Sequence, residues 1–217
     1  MNIAKYLDFA NHHQDSRPSE IIELCKKVKK YGFHSAFVNQ CYLSLARGFL
    51  GEKGIIGTVI SFPLGQDSRE SKILAALDSV RKGADELDVS MNMGLFLAGK
   101  EKEVQEEMAA IVEAVRSLRT KVLVKFIIET GLLTESQIEK ASELVLASGA
   151  DFIKTCSGFG PRGASLEDVR LIKSAIGDKI KIKVAGGISN YQQAEAFIKA
   201  GAHRIGTSHA VEIIKAA

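Results

Sequence analysis

The chain has 217 residues, 46% hydrophobic and 25% charged, an ordinary balance for a globular protein with one large core. Its net charge of +3 comes from 29 basic and 26 acidic residues with no basic block, which argues against a nucleic-acid partner and leaves room for a small anionic substrate. Cys25, Cys41 and Cys156 are odd in number and widely spaced, and neither a signal-peptide pattern nor a membrane-length apolar run is visible; a reduced, cytoplasmic protein is expected.

Strand-like and helix-like segments alternate from end to end. Strands are predicted over 5–10, 34–39, 55–62, 85–91, 122–128, 151–156, 181–186 and 203–208. Amphipathic helices are predicted over 19–31, 41–50, 68–82, 100–118, 134–148, 165–176 and 190–200, with a short one from about 209. Ser19, Thr134 with Gln137, and Ser165 with Asp168 read as helix starts, while Gly32, Gly83, Gly149, Gly177 and Gly201 read as stops.

Strict alternation implies an α/β fold with parallel strands, and eight strand–helix units in this length favour a single (β/α)8 TIM barrel over residues 1–217. Asp8 and Tyr6 dilute the first strand; losing it would leave seven strands and an open doubly wound sheet. No G-x-G-x-x-G follows the first strands, which counts against that alternative.

Lys125, Lys154 and Lys183 recur at an interval of 29 residues, each inside an apolar strand pattern. A charge in a buried strand is costly unless it is paired or has work to do, and this interval is about one strand–helix–strand step. The three lysines are therefore expected to face one common site. In the fourth strand Glu86, Asp88 and Ser90 share one parity and Leu87, Val89 and Met91 the other, which directs the polar set into the barrel. Phe152, Lys154 and Cys156 share the inward parity of the sixth strand, and Lys181, Lys183 and Ala185 that of the seventh.

Such a cluster suits amine nucleophilicity. An ordinary lysine, pKa about 10.4, is neutral in roughly one molecule in 2,500 at pH 7; a neighbouring ammonium and burial both lower that pKa. Lys154 beside Lys183 can then form a Schiff base with a carbonyl, whose iminium accepts the electrons released when the bond between the α and β carbons breaks. Asp88, directly or through water, can move the β-hydroxyl proton. No cofactor or metal is required: His12 and His13 read as a solvated loop pair rather than as metal ligands.

Two glycines, Gly186 and Gly187, follow the seventh strand, and Ser208 and His209 end the eighth, where barrels often bind phosphate through backbone N–H groups. Gly158 and Arg162, after the sixth strand, are further candidates.

Over nearly its whole length the sequence resembles deoxyribose-phosphate aldolase, in TVISFPLG (58–65), GADELDVSMNMG (83–94), LVKFIIETGLLT (123–134), GADFIKTCSGFG (149–160), KVAGGIS (183–189) and AGAHRIGTS (200–208). The resemblance implies a Schiff-base lysine at Lys154, a pKa-depressing neighbour at Lys183 and a proton-relay carboxylate at Asp88. It further implies that Asp8, Lys125, Thr155 and Gly158 bind substrate or support the residues that do, and that the reaction is reversible cleavage of 2-deoxy-D-ribose 5-phosphate to acetaldehyde and D-glyceraldehyde 3-phosphate. The alternatives are a divergent aldolase for another hydroxyaldehyde, or a non-catalytic phosphate-binding barrel. The partner implied is a small sugar phosphate or aldehyde, and a homo-oligomer is compatible with the fold.

Departures from the family cluster at one end of the pocket. The common D-H-T-L-L-K reads Asp8-Phe9-Ala10-Asn11-His12-His13 here, Ser189 stands where an arginine is usual, His209 replaces the second of two serines, and Phe37 occupies a frequent cysteine position. These changes bear on the phosphate grip, where His209 or Arg162 is the expected compensation.

Overall fold

The computed structural model describes residues 2–216. Eight parallel strands pair in sequence order and close into a barrel: β1 (Leu7–Asn11), β2 (Ser35–Val38), β3 (Ile56–Ile60), β4 (Glu86–Ser90), β5 (Leu123–Ile127), β6 (Phe152–Lys154), β7 (Lys181–Ala185) and β8 (Arg204–Thr207). The seam pairs Asp8 with Gly206, so the diluted first strand is a true barrel strand. Its acidic residue is tolerated because it faces a lysine across the interior, as described below.

The surrounding helices are α1 (Pro18–Tyr31), α2 (Leu43–Leu50), α3 (Arg69–Arg81), α4 (Met93–Leu97), α5 (Glu101–Leu118), α6 (Glu135–Ala147), α7 (Leu166–Ile176), α8 (Tyr191–Ala200) and α9 (Ala210–Lys215). Strand residues of the outward parity, among them Leu87, Val89, Ile153, Val184 and Ile205, are buried beneath these helices in the main apolar core. The inward parity carries a different population. Asp8, Glu86, Asp88, Lys125, Lys154 and Lys183 are all buried inside the barrel, together with Phe37 and Phe152.

Local differences from the sequence reading have identifiable causes. Ile3–Tyr6 forms a 3-10 turn, so β1 begins two residues later than predicted. Helix α1 starts ahead of Ser19: Pro18 supplies a preset first helical position, and the Glu20 carboxylate accepts the Arg17 backbone N–H at 2.8 Å. The short α4 was not predicted; the Asn92 side chain accepts the Leu95 N–H at 3.1 Å and starts a helix too short for periodicity to show. The capping boxes at Thr134 and Ser165 are present, and all five glycine stops adopt positive φ.

Phe37 packs inside the barrel against two of the lysines. Its ring crosses the inner face of β3 so closely that a Cβ on Gly57 would lie 2.1 Å from its Cζ. Lys183 Nζ sits 3.4 Å and Lys125 Nζ 4.7 Å from the ring centroid, so the ring face also solvates two buried ammoniums.

Candidate active site

The strand register brings the interior charges together. Asp88 on β4 is the partner of Lys125 on β5, and Lys154 on β6 is the partner of Lys183 on β7. Lys125 pairs with Phe152 rather than Lys154, so it lies deeper than the constant sequence interval suggests. Asp88 receives all three cations: Lys125 Nζ lies 3.0 Å from Oδ1, and Lys154 and Lys183 lie 2.9 and 2.8 Å from Oδ2. The two Oδ2 contacts are ion pairs rather than aligned hydrogen bonds.

The remaining partners make the lysines unequal. Lys125 also holds Glu86 at 2.6 Å, and Lys183 holds Asp8 at 2.6 Å. Ser35 donates to the other Asp8 oxygen at 2.6 Å, and His34 meets Glu86 at 3.0 Å. Lys154 has Asp88 as its single carboxylate contact among the described residues. Three ammoniums thus face three carboxylates in a closed interior, as buried charge requires.

This partner count orders the proton affinities. For Lys154, burial is the largest influence and lowers the pKa; Asp88 opposes it, and the Lys183 charge lowers it again, leaving the amine below the usual lysine range. For Lys125, burial acts in the same direction, but Asp88 and Glu86 outweigh it and the ammonium is held above that range. Burial raises and the lysines lower the pKa of Asp88; the lysines win, and it stays an anion well below its usual range. Glu86 is likewise lowered, with Lys125 overcoming burial.

A cavity of ≈ 380 Å³ opens onto this network at the C-terminal end of the barrel. Lys154 and Lys183 are on its floor, with Phe37 beside them. One flank is built from the β7 and β8 loops: Gly186, Gly187, Ser189, Ser208 and His209. Gly186 and Gly187 take φ of +99° and +77°, a consecutive left-handed pair that L side chains disfavour. Ala164 N–H donates to the Gly186 carbonyl at 3.1 Å, fastening this loop to the one after β6, where Gly158 also borders the cavity. His12 and Phe159 also border the cavity, and the Phe62 ring packs 5.4 Å from both of theirs.

Lys154, Lys183, Gly158, Gly186, Gly187, Ser208 and His209, singled out from the sequence, all border this one cavity. Three further residues of the expected site do not border it. Asp8 and Lys125 lie behind the floor, consumed by Lys183 and by Glu86 and Asp88. Thr155 points away from the cavity because its Oγ1 donates to the Ala185 carbonyl and accepts the Ala185 N–H, both at 3.1 Å, which clamps β6 to β7. Asp88 is also enclosed and reaches the cavity through Lys154 and Lys183.

Two further expectations change. Arg162 is not free to hold an anion: its guanidinium forks onto Asp168 at 2.8 and 2.9 Å and also donates to the Thr130 carbonyl at 3.0 Å. His12 and His13 both border the cavity, but only His13 is exposed as expected; His12 is half-buried and packs against Phe37 and Phe62. Burial, then the Lys154 charge, pushes the His12 imidazole down to about 3, so it is neutral across the physiological range.

Sequence reasoning missed His34 and Glu129. His34 precedes β2 and gave no periodic signal. Glu129 adopts φ of +44° and its buried carboxylate accepts the Ser157 N–H at 3.0 Å, bracing the β6 loop. Asp8, His34 and Glu86 are the one group among the described residues that brings three ligand atoms within 4.8 Å. Each is already committed to Lys183, Lys125 or one another, so a cation there would have to displace a buried ammonium. Cys156 is buried with Thr130 Oγ1 3.1 Å away, and burial raises its thiol pKa, which fits a packed residue.

A closed eightfold barrel whose cavity ends on a buried, poorly compensated lysine is the architecture of an enzyme that works through a Schiff base. A family model described as DeoC/LacD family aldolase matches residues 3–209, and the chain belongs to that family. Among curated relatives, the deoxyribose-phosphate aldolase of Aciduliprofundum boonei is 44% identical over 214 residues, covering 98% of this chain and 96% of its own. That of Thermococcus gammatolerans is 42% identical over 220 residues, covering 100% and 97%. Among solved structures, an aldolase designated QR15 aligns with a TM-score of 0.93 at 38% identity, covering 99% of this chain and 95% of its own. The tetrameric deoxyribose phosphate aldolase of Aeropyrum pernix aligns with a TM-score of 0.90 at 28% identity, covering 98% and 89%. No helix among the described residues is long and apolar enough to cross a membrane.

Proposed function

We propose that this chain is a carbon–carbon lyase that reversibly cleaves 2-deoxy-D-ribose 5-phosphate to acetaldehyde and D-glyceraldehyde 3-phosphate, with Lys154 as the nucleophile. The observation that carries the assignment is the position of Lys154 on the cavity floor with one carboxylate contact and a lowered pKa. Full-length relatives named for the same activity agree with it.

Neutral Lys154 attacks C1 of the open-chain sugar, and loss of water gives the iminium. The Asp88–Lys183 pair, 2.8 Å apart, takes the proton from the C3 hydroxyl. The C2–C3 bond breaks, its electrons reduce the iminium to an enamine, and the carbonyl of glyceraldehyde 3-phosphate forms at C3. Protonation of the enamine at C2 and hydrolysis release acetaldehyde and the free amine. Lys125 and Asp8 keep the charge balance behind these groups and touch no substrate.

The phosphate end is assigned to the β7 and β8 loops, where Gly186, Gly187 and Ser208 border the cavity with His209 and His13 and backbone N–H groups are the donors expected. With Arg162 tied to Asp168, the histidines are the side chains that stand in for the missing guanidinium. A homo-oligomer is in keeping with the tetrameric Aeropyrum pernix relative. The test is cleavage of deoxyribose 5-phosphate beside unphosphorylated deoxyribose. A large preference for the phosphate ester is expected; equal turnover would favour an aldolase for another hydroxyaldehyde, and no turnover of either would oppose the assignment.

A further inference from the structure

His12 is a polar group bordering the cavity floor region that the reaction above leaves unused. It lies just beyond β1, where Phe9, Ala10 and Asn11 separate it from Asp8. Its ring sits 5.4 Å from Phe62 and 6.3 Å from Phe37, the aromatic side chains that also meet Lys154 Nζ at 5.6 Å and Lys183 Nζ at 3.4 Å. The imidazole thus shares its aromatic surroundings with the two reactive amines. Its Nδ1 is enclosed without an aligned hydrogen-bond partner, which leaves Nε2 as the ring nitrogen that a ligand in the bordering cavity can reach.

A neutral imidazole carries one N–H donor and one acceptor, so the nitrogen that faces the cavity can donate to or accept from a substrate hydroxyl according to the tautomer. Neutrality here follows from the half-buried, aromatic setting of the ring and the nearby ammoniums. A neutral ring can offer a hydrogen bond without adding a further charge beside Lys154 and Lys183.

The open-chain substrate presents four polar positions. C1 is taken by Lys154, the C3 oxygen by the Asp88–Lys183 pair, and the phosphate by the glycine loops. The C4 hydroxyl has no partner among them. Building on the aldolase reading, we propose that His12 is a specificity-determining residue that hydrogen-bonds the C4 hydroxyl of the sugar phosphate, which is the C2 hydroxyl of the acceptor aldehyde in the synthetic direction. His12 selects α-hydroxylated acceptors, and the aromatic wall of Phe37 and Phe62 holds its ring in place.

The test runs the aldol addition of acetaldehyde with two acceptors, D-glyceraldehyde 3-phosphate and 3-oxopropyl phosphate, which lacks the C2 hydroxyl. A neutral hydrogen bond corresponds to a selectivity of roughly five- to tenfold. In His12→Leu the ratio of kcat/KM for the two acceptors should fall by about that factor, and His12→Asn, which keeps an N–H donor, should recover part of it and serves if the leucine variant does not fold. Borohydride trapping of acetaldehyde on Lys154 checks that each variant is assembled. An unchanged ratio overturns the assignment, and so does a parallel fall with both acceptors, which would put His12 on the C3 oxygen. Wild-type protein that adds acetaldehyde to neither acceptor would instead overturn the aldolase reading on which this inference rests.

Discussion

Lys154 Nζ lies 2.9 Å from Asp88 Oδ2, and among the described residues this is the one carboxylate contact that lysine has. Lys125 meets the same aspartate at 3.0 Å but holds Glu86 as well, and the two lysines shift in opposite directions. One additional carboxylate separates a nucleophile from a structural cation. Three predictions follow from that charge arrangement and one from the packing beneath it.

Activity depends on the neutral fraction of Lys154, so kcat/KM should rise with pH and level off above its pKa, below the ordinary lysine range. Lys183 lowers that pKa, so removing its charge should move the rising limb to higher pH. Lys183→Met in an Asp8→Asn background keeps the interior charge balanced. It should lose roughly 100-fold or more in kcat/KM at pH 7. A limb that stays in place in the pH–rate profile would contradict the assigned role.

Lys125→Met should leave Glu86 and Asp88 buried with too little positive charge. The cost expected from breaking a buried pair is about 3–5 kcal/mol, measurable by urea unfolding. Adding Glu86→Gln should return a substantial part of it, because the uncompensated charge is then gone. A double variant no more stable than the single one would argue against the pairing as the cause.

Acid should unfold the protein through the same carboxylates. Asp88 and Glu86 are held below their unfolded values, so their stabilisation is complete above about pH 4–5 and is lost as pH falls through the lower folded values. Unfolding free energy should therefore decline steeply below about pH 4. Asp88→Asn should flatten that decline and, independently, reduce turnover by roughly 100- to 10,000-fold. A stability curve of unchanged slope in Asp88→Asn would place the acid sensitivity elsewhere.

Gly57→Ala should destabilise the barrel by about 1–3 kcal/mol, because the new methyl group overlaps the Phe37 ring. Combining it with Phe37→Ala should cost less than the sum of the two single changes, since the ring that clashes is gone. Thermal or urea unfolding of the four proteins gives the coupling directly; additive costs would contradict the contact.

The eightfold barrel was legible because period-2 and period-3.6 patterns alternate without interruption, and the parity of Glu86, Asp88 and Ser90 already pointed the polar face inward. Lys154, Lys183 and Asp88 could be picked out because charges inside apolar strands are conspicuous. Their inequality could not be read that way: it rests on Glu86 and Asp8 reaching across the barrel, and on a register that sets Lys125 against Phe152. Arg162 and His12 were misplaced for a related reason. Each takes its role from a partner distant in sequence or from the curvature of a loop, and neither leaves a periodic trace. The 3-10 turn before β1 and the five-residue α4 were too short to announce themselves.

Covalent trapping tests the central claim most directly. Acetaldehyde or deoxyribose 5-phosphate, added with sodium borohydride, should reduce a Schiff base in place, and peptide mass spectrometry should find the adduct on Lys154. Lys154→Met should give no adduct and no turnover while retaining its fold. A folded wild-type protein with no adduct, or an adduct carried by Lys183 or Lys125 instead, would contradict the account.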